Sequence, residues 1–132
     1  MKKTIYIFGN PSLDFDNLPI KLKPKLKEAF PNFEFILKDP NENLHPENDE
    51  LIIIDTVVGP EKIIILDNLE EIDKIETSPN YSMHDFDLGF NLKLLKKIGS
   101  LKKVTIFGVP SGMDKDEALK KLKILIEEKL KF

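Results

Sequence analysis

The sequence contains no cysteine among its 132 residues. This absence excludes disulfides, thiolate metal ligands and a cysteine nucleophile. No apolar run approaches the ~18 residues that a membrane-spanning helix needs, and there is no secretory leader pattern. The formal net charge is only −3, which argues against nucleic acid or an anionic membrane as the main partner. We therefore expect a cytoplasmic protein that binds neither nucleic acid nor membrane.

Sequence motifs for two common functions of α/β proteins are also missing. The first glycine stands in Gly9-Asn10-Pro11, which fits neither the dinucleotide-binding G-x-G-x-x-G pattern nor the phosphate-binding Walker pattern. No serine stands in a G-x-S-x-G nucleophile elbow. Neither nucleotide binding nor serine-hydrolase chemistry is predicted.

The apolar segments that are present indicate a layered α/β fold. Five of them have the length and β-branched content of buried strands: residues 4–8, 33–37, 51–55, 62–66 and 104–109. Helical patterns lie between these segments. Alternating strands and helices with right-handed crossovers predict a three-layer α/β/α sandwich around a mostly parallel sheet of about five strands. We expect one domain spanning residues 1–132.

The clearest helical pattern runs from Asp114 to the C terminus, where Asp114 and Glu117 suggest a capping pair. A second pattern covers residues 89–98 and is followed by a glycine that suits a helix end. The polar stretches 39–49 and 68–82 are predicted as loops, and loops of this length in a small domain are often functional.

A further helix is predicted within residues 18–30, but its two prolines leave the start open by about one turn. Pro19 suits a first helical turn, where its missing N–H costs no hydrogen bond. Pro24 removes a backbone hydrogen bond, so it is expected to kink or delay the helix.

Polar residues that suit metal binding follow the predicted strands. In an open parallel sheet, the loops at the carboxyl ends of the strands converge on one crevice. Asp16 lies in the loop after the first strand, and Asp55 lies at the end of the third. His84 stands just before the helix predicted at 89–98, so its loop can reach the same edge. Two carboxylates and an imidazole form an O/O/N set suited to a borderline divalent metal ion.

Each of these three residues also has a purely structural explanation. Taken alone, Asp16 is better explained as the N-cap of the first helix, and Asp55 as the cap of a turn. His84 is equally suited to satisfy a hydrogen bond within its loop. The other histidine, His45, precedes a proline in a polar stretch and is predicted to face solvent. The prediction of a metal site therefore rests on convergence at one edge.

Four segments together resemble the hydrogenase maturation endopeptidases. Residues 8–16 (FGNPSLDFD) resemble the family's Gly-Asn-Pro segment, which ends in paired acids, and residues 54–59 (IDTVVG) resemble its second acidic strand end. Residues 82–88 (SMHDFDL) are similar to the family's histidine segment. Residues 104–110 (VTIFGVP) are similar to its last strand, which ends in glycine and proline before the terminal helix. The four segments occur in the family's order.

The resemblance implies a phosphorylase/hydrolase-like fold and an aspartic-type endopeptidase. Its partner would be the precursor of the large subunit of a nickel-containing hydrogenase, which receives nickel first and then loses a C-terminal extension. By position, Asp16, Asp55 and His84 match the residues that contact nickel, which the substrate presents, and Asp16 and Asp55 match the catalytic acids. Phe15 replaces the first of the paired acids, and Asn17 replaces the glycine that usually follows them.

Two other interpretations remain open at this point. The chain would be an inactive paralogue if it bound metal or a hydrogenase subunit without cleaving it, and the substitutions at Phe15 and Asn17 favour that interpretation somewhat. It would be a receiver-like α/β binding domain if Asp55 were a lone acid at a strand end. The receiver-like interpretation predicts that His84 lies far from Asp55, whereas the peptidase needs both around one cleft.

Overall fold

A central β-sheet and two helices make up the part of the chain that the computed structural model describes, which is residues 3–8, 18–38, 50–67, 70, 82–83 and 102–130. In chain order the elements are β1 (Lys3–Phe8), α1 (Leu18–Ala29), β2 (Phe33–Lys38), β3 (Glu50–Val58), β4 (Ile64–Leu66), β5 (Ser82–Met83), β6 (Lys103–Pro110) and α2 (Lys115–Leu130).

The sheet has the mostly parallel architecture that the sequence predicted. Its strands are ordered β2-β1-β3-β6-β4. The first four strands of this path are parallel to one another, and β4 is antiparallel to β6. The short strand β5 lies off the path and pairs antiparallel with β3. The five strands of the path correspond to the five predicted apolar segments, whereas β5 was not predicted.

β3 is longer than the sequence predicted, because it continues past Asp55 to Val58. Its pairing with β6 extends to Val57, which lies opposite Pro110. The backbone carbonyl of Val57 also accepts a hydrogen bond from the N–H of Ser111, with an N···O distance of 3.1 Å. The sequence predicted that residues 56–58 follow the strand. These contacts with β6 and the following turn make them part of it.

α1 begins at Leu18 with Pro19 in its first turn, as Pro19 suggested, and it runs through Pro24 to Ala29. Pro24 therefore does not delay the start of the helix. Burial explains why the helix tolerates this proline: Leu22 and Leu26, which flank it, are fully buried against the sheet. Packing of an apolar face contributes more to the stability of a helix in a protein than propensity does.

α2 begins with the cap that the sequence predicted. The Asp114 carboxylate accepts a hydrogen bond from the backbone N–H of Glu117 at 3.1 Å, which satisfies one of the donors at the helix start. One turn further, Lys121 donates to the Glu117 carboxylate at 2.7 Å. On the opposite side of the helix, Leu122 and Ile126 are fully buried.

Both of these helices cover the same face of the sheet. Strand side chains alternate between the two faces, so each face has its own core. The core under the helices includes Ile7, Ile54 and Phe107 together with Leu22 and Leu122. The core on the other face consists of a second set of buried strand residues: Phe8, Leu51, Ile53, Val57, Leu66, Val104 and Ile106. The helix predicted at 89–98 and the loop predicted at 39–49 lie outside the described residues.

Candidate functional site

Asp55 is a fully buried carboxylate in the middle of the sheet. One of its oxygens, Oδ1, accepts a hydrogen bond from the backbone N–H of Thr56 at 2.8 Å. Asp55 follows the alternation of Leu51 and Ile53, so its side chain belongs to the face opposite α1 and α2. The interpretation of Asp55 as the cap of a turn at the end of its strand is wrong, because β3 continues to Val58.

Asp55 nevertheless lies level with the carboxyl end of a neighbouring strand. The register of β1 on β3 pairs Ile7 with Ile54, and β1 ends one residue later at Phe8. On this side of β3, Asp55 is therefore level with the last residue of β1. The sequence predicted this edge of the sheet as the place for the site, for the reason that ligands bind where parallel strands end.

The upper part of β3 is paired instead with β5. Val57 lies opposite Met83, and Val58 lies opposite Ser82. Because this pairing is antiparallel, β5 runs from the end of β3 back toward the level of Asp55. No local pattern in the sequence indicates a strand of two residues, and its partners on β3 lie 24 and 26 positions earlier in the chain.

On the other side of β3, Asp55 lies opposite Gly108 of β6. A Cβ atom added to Gly108 would meet Val57 Cγ2 closer than real Cβ atoms come, and it would lie 2.8 Å from Ile64 Cγ1. The side chains of Val57 and Ile64 thus occupy the space beside Asp55 that a side chain at Gly108 would need. An isolated glycine within a strand pattern often marks such a close approach, but its partners are not visible in the sequence.

The turn that follows β3 forms one wall of a surface depression of about 430 Å³. Gly59 begins this turn with a φ of 115°, a conformation that favours glycine. The depression is lined by Glu61, Lys62 and Ile64 in addition to Gly59 and Pro60. Since Ile64 also lies opposite Gly108, the depression adjoins the part of the sheet that carries Asp55.

Of the three predicted metal ligands, only Asp55 is among the described residues. Asp16 and His84 lie outside them, so their distances to Asp55 stay predictions. Within the described ranges no group of three or more His, Cys, Asp or Glu side chains is arranged to hold a metal ion. Since two of the predicted ligands fall outside these ranges, the predicted O/O/N set is not tested by that result.

Solved structures with the same fold belong to proteases of hydrogenase maturation. The chain superimposes on the [NiFe] hydrogenase maturation protease HybD from Thermococcus kodakarensis with a TM-score of 0.68 and 17% identity, covering 98% of this chain and 99% of that one. It also matches the hydrogenase maturating endopeptidase HybD from E. coli, with a TM-score of 0.66, 18% identity and coverage of 97% and 93%. At these identities the likeness establishes the α/β fold.

A third match is an uncharacterized protein from Wolinella succinogenes, with a TM-score of 0.53, 16% identity and coverage of 97% of this chain and 99% of that one. No curated protein sequence matches the chain significantly.

The family follows from the sequence model of the hydrogenase maturation proteases, which matches residues 42–132, more than half of the chain. The chain belongs to this family. It is therefore a peptidase with a role in hydrogenase maturation, in a family that acts on hydrogenase large-subunit precursors. The family assignment confirms the resemblance found in the sequence and removes the receiver-like alternative. Among the helices that the structure describes, none is long and apolar enough to cross a membrane.

Proposed function

We propose that this protease recognises nickel in the precursor of a hydrogenase large subunit and removes the precursor's C-terminal extension. Nickel belongs to the substrate in this proposal and enters the site with it. Asp16, Asp55 and His84 supply the ligands on the enzyme's side, and Asp16 and Asp55 also serve as the catalytic acids of an aspartic-type endopeptidase. The chain, residues 1–132, acts as one domain in the cytoplasm.

The position of Asp55 is the observation that supports this proposal most. A carboxylate taken fully out of water is costly unless it is paired, hydrogen-bonded or bound to a cation. Asp55 is fully buried and lies level with the end of β1. That edge of the sheet is where an open α/β fold binds its ligands. Asp55 is thus a carboxylate at the level of the expected site, and its burial protects a metal bond from competition by water.

The direction of β5 supports the assignment of His84. Met83 ends β5 opposite Val57, which stands two residues beyond Asp55 on β3. His84 is the residue that follows Met83 in the sequence. Two residues of a strand span about 6.6 Å, and neighbouring strands are about 4.8 Å apart. We therefore assign the nitrogen ligand of the proposed site to the imidazole of His84.

The start of α1 supports the assignment of Asp16. Leu18 is the first residue of α1. Asp16 stands two residues before Leu18 in the sequence. The connection from β1 to α1 starts at the carboxyl end of β1, which is the edge level with Asp55.

The protease can sense nickel because the precursor supplies some of the ligands of the ion and the protease supplies the others. The precursor holds nickel through thiolates, and this protease has none to offer because it lacks cysteine. Two carboxylates and an imidazole complete the coordination with harder donors, so the ion bridges enzyme and substrate. A precursor without nickel lacks this bridge and binds weakly. Cleavage, which is irreversible, therefore waits until the metal has been inserted.

The reaction is the hydrolysis of one peptide bond next to this bridge. Water adds to the scissile carbonyl carbon, the C–N bond breaks, and the leaving amine takes up a proton. The attacking water is activated either by the nickel ion as a Lewis acid or by a carboxylate oxygen as a general base. In both routes Asp16 and Asp55 must be charged, because they hold the ion or accept the proton.

The experiment that tests the proposed ligand set is a binding measurement. The Asp55→Asn variant and the wild type are mixed with nickel-loaded and nickel-free precursor, and complex formation is followed by analytical gel filtration and calorimetry. We expect the wild type to bind loaded precursor at least 10-fold more tightly than nickel-free precursor, and Asp55→Asn to lose this difference. Asp67→Asn, a substitution of a half-exposed carboxylate after β4, is the matched control and should keep it. Equal binding of both precursor forms by the wild type contradicts the proposal.

A further inference from the structure

We infer that Gly108 is a positioning residue for peptide cleavage. Its lack of a side chain lets Val57 pack closely against β6, and this contact sets the position of the β3 segment that carries Asp55. The inference rests on the proposed role of Asp55, and it assigns a role in the reaction to a residue that itself offers no functional group.

Three strands meet at Gly108 at the level of Asp55. In the sheet, Gly108 lies opposite Asp55 of β3 on one side and opposite Ile64 of β4 on the other. A Cβ at this position would be 2.8 Å from Ile64 Cγ1 and closer still to Val57 Cγ2. Real Cβ atoms essentially never approach other heavy atoms this closely, so any side chain at position 108 forces its neighbours to move.

Val57 has little freedom to move by itself. Its side chain is fully buried and β-branched, which restricts rotation about χ1. Its backbone is held on both sides, since Val57 pairs with Met83 of β5 and its carbonyl accepts the Ser111 N–H at 3.1 Å. A methyl group at Gly108 must therefore displace β3 itself.

A displacement of β3 at Val57 reaches the proposed site by two routes. Asp55 stands two residues earlier on the same face of the same strand, so it shifts with Val57. Met83 is paired with Val57, so β5, which leads in the sequence to the proposed ligand His84, shifts as well. A misplacement of about 1 Å at reacting groups can cost on the order of 100-fold in rate. Gly108 thus controls the position of Asp55 and of β5 through one packing contact.

The test is Gly108→Ala, with Gly112→Ala as the matched control. Gly112 lies in the turn after β6, and a Cβ added there meets nothing within 4 Å. Both variants are assayed for cleavage of nickel-loaded precursor well below their melting temperatures. We expect Gly108→Ala to lower kcat at least 10-fold with a smaller change in KM, and Gly112→Ala to stay within twofold of wild type in both.

A second control separates positioning from loss of stability. Leu122→Ala creates a cavity in the core under α2, on the face of the sheet away from Asp55, and lowers the melting temperature without touching the site. Its kcat per folded molecule should match the wild type. If Gly108→Ala is folded and keeps wild-type kcat, the glycine is only structural and the inference is wrong.

Rescue by a second substitution tests the proposed route through Val57. Val57→Ala removes the Cγ2 atom that a methyl group at position 108 would strike first. The double variant Gly108→Ala/Val57→Ala should therefore recover most of the kcat of Val57→Ala alone, since only the contact with Ile64 Cγ1 remains. This comparison remains informative even if Gly108→Ala does not fold by itself. A folded double variant with kcat far below that of Val57→Ala contradicts the inference.

The assay also includes Asp55→Asn, so that two kinds of failure can be told apart. If Asp55→Asn is inactive while Gly108→Ala is unaffected, the positioning role of Gly108 fails and the proposed site stands. If Asp55→Asn cleaves at the wild-type rate, the proposed site fails, and the inference about Gly108 fails with it.

Discussion

Met83 of β5 lies opposite Val57 of β3, two residues beyond the buried Asp55 on the same strand. The antiparallel direction of β5 carries the chain from the far end of β3 back toward Asp55. This pairing joins two parts of the sequence that the family resemblance assigns to one metal site.

His84→Ala should abolish cleavage of nickel-loaded precursor, because the proposed nickel bridge loses its only imidazole. The matched control is His45→Ala, which removes the other histidine of the chain and should cleave at the wild-type rate. The measurement is the mass of the precursor after incubation with each variant. Near wild-type cleavage by His84→Ala would return His84 to a structural role in its loop.

Asp16→Asn should abolish processing while leaving the fold intact. Asparagine keeps the shape of the side chain and can still cap a helix, but it removes the charge that holds the cation. Asp14→Asn is the matched control from the same segment and should retain activity. Circular dichroism should show a melting temperature within roughly 3 to 6 °C of wild type, the shift expected for about 1 kcal/mol at this chain length. If the Asp16→Asn variant is active, Asp16 does not hold the cation, and its role is only to cap the helix.

The strands of the sheet could be predicted from the sequence because each is a short apolar run rich in β-branched residues. The end of β3 could not, since Asp55 is a polar residue that ends the apolar run, and its strand continues through pairing with Pro110 and a hydrogen bond from Ser111. Likewise β5 has two residues, too few to produce a periodic pattern, and it exists through its pairing with Val57 and Val58.

For the proposed site, the sequence predicted that Asp55 lies at one edge of the sheet, because a parallel sheet places its strand ends together. It did not indicate the close packing at Gly108. A glycine inside a strand suggests a close approach of some other group, but the atoms that approach it, on Val57 and Ile64, belong to two strands distant in sequence.

Asp114→Ala should destabilise the protein without affecting cleavage. The Asp114 carboxylate caps α2 by accepting the Glu117 N–H, and loss of such a cap costs about 1 kcal/mol. We expect the melting temperature to fall by roughly 3 to 6 °C. Asp116→Asn, in the first turn of α2, is the control and should cost less, since it leaves the cap in place. A melting temperature unchanged in Asp114→Ala would show that this exposed cap contributes no stability.

Gly59→Ala should also destabilise the protein, because Gly59 has a φ of 115° that a residue with a Cβ rarely adopts. A left-handed conformation costs an L-residue about 1 to 2 kcal/mol. Gly112→Ala, where added bulk meets no neighbour, should melt close to wild type. The measurement is chemical denaturation of both variants, and equal stability of the two would mean that the turn after β3 relaxes freely.

The most direct test of the central claim compares nickel-loaded with nickel-free precursor in the presence of the wild-type protease. The precursors are those of the hydrogenase large subunits encoded by the same organism, and each reaction is analysed by intact-protein mass spectrometry. We expect loss of a C-terminal segment from the nickel-loaded precursor and no change in mass for the nickel-free form. Equal cleavage of both forms would contradict recognition of nickel, and no cleavage of any loaded precursor would contradict a role as its processing peptidase.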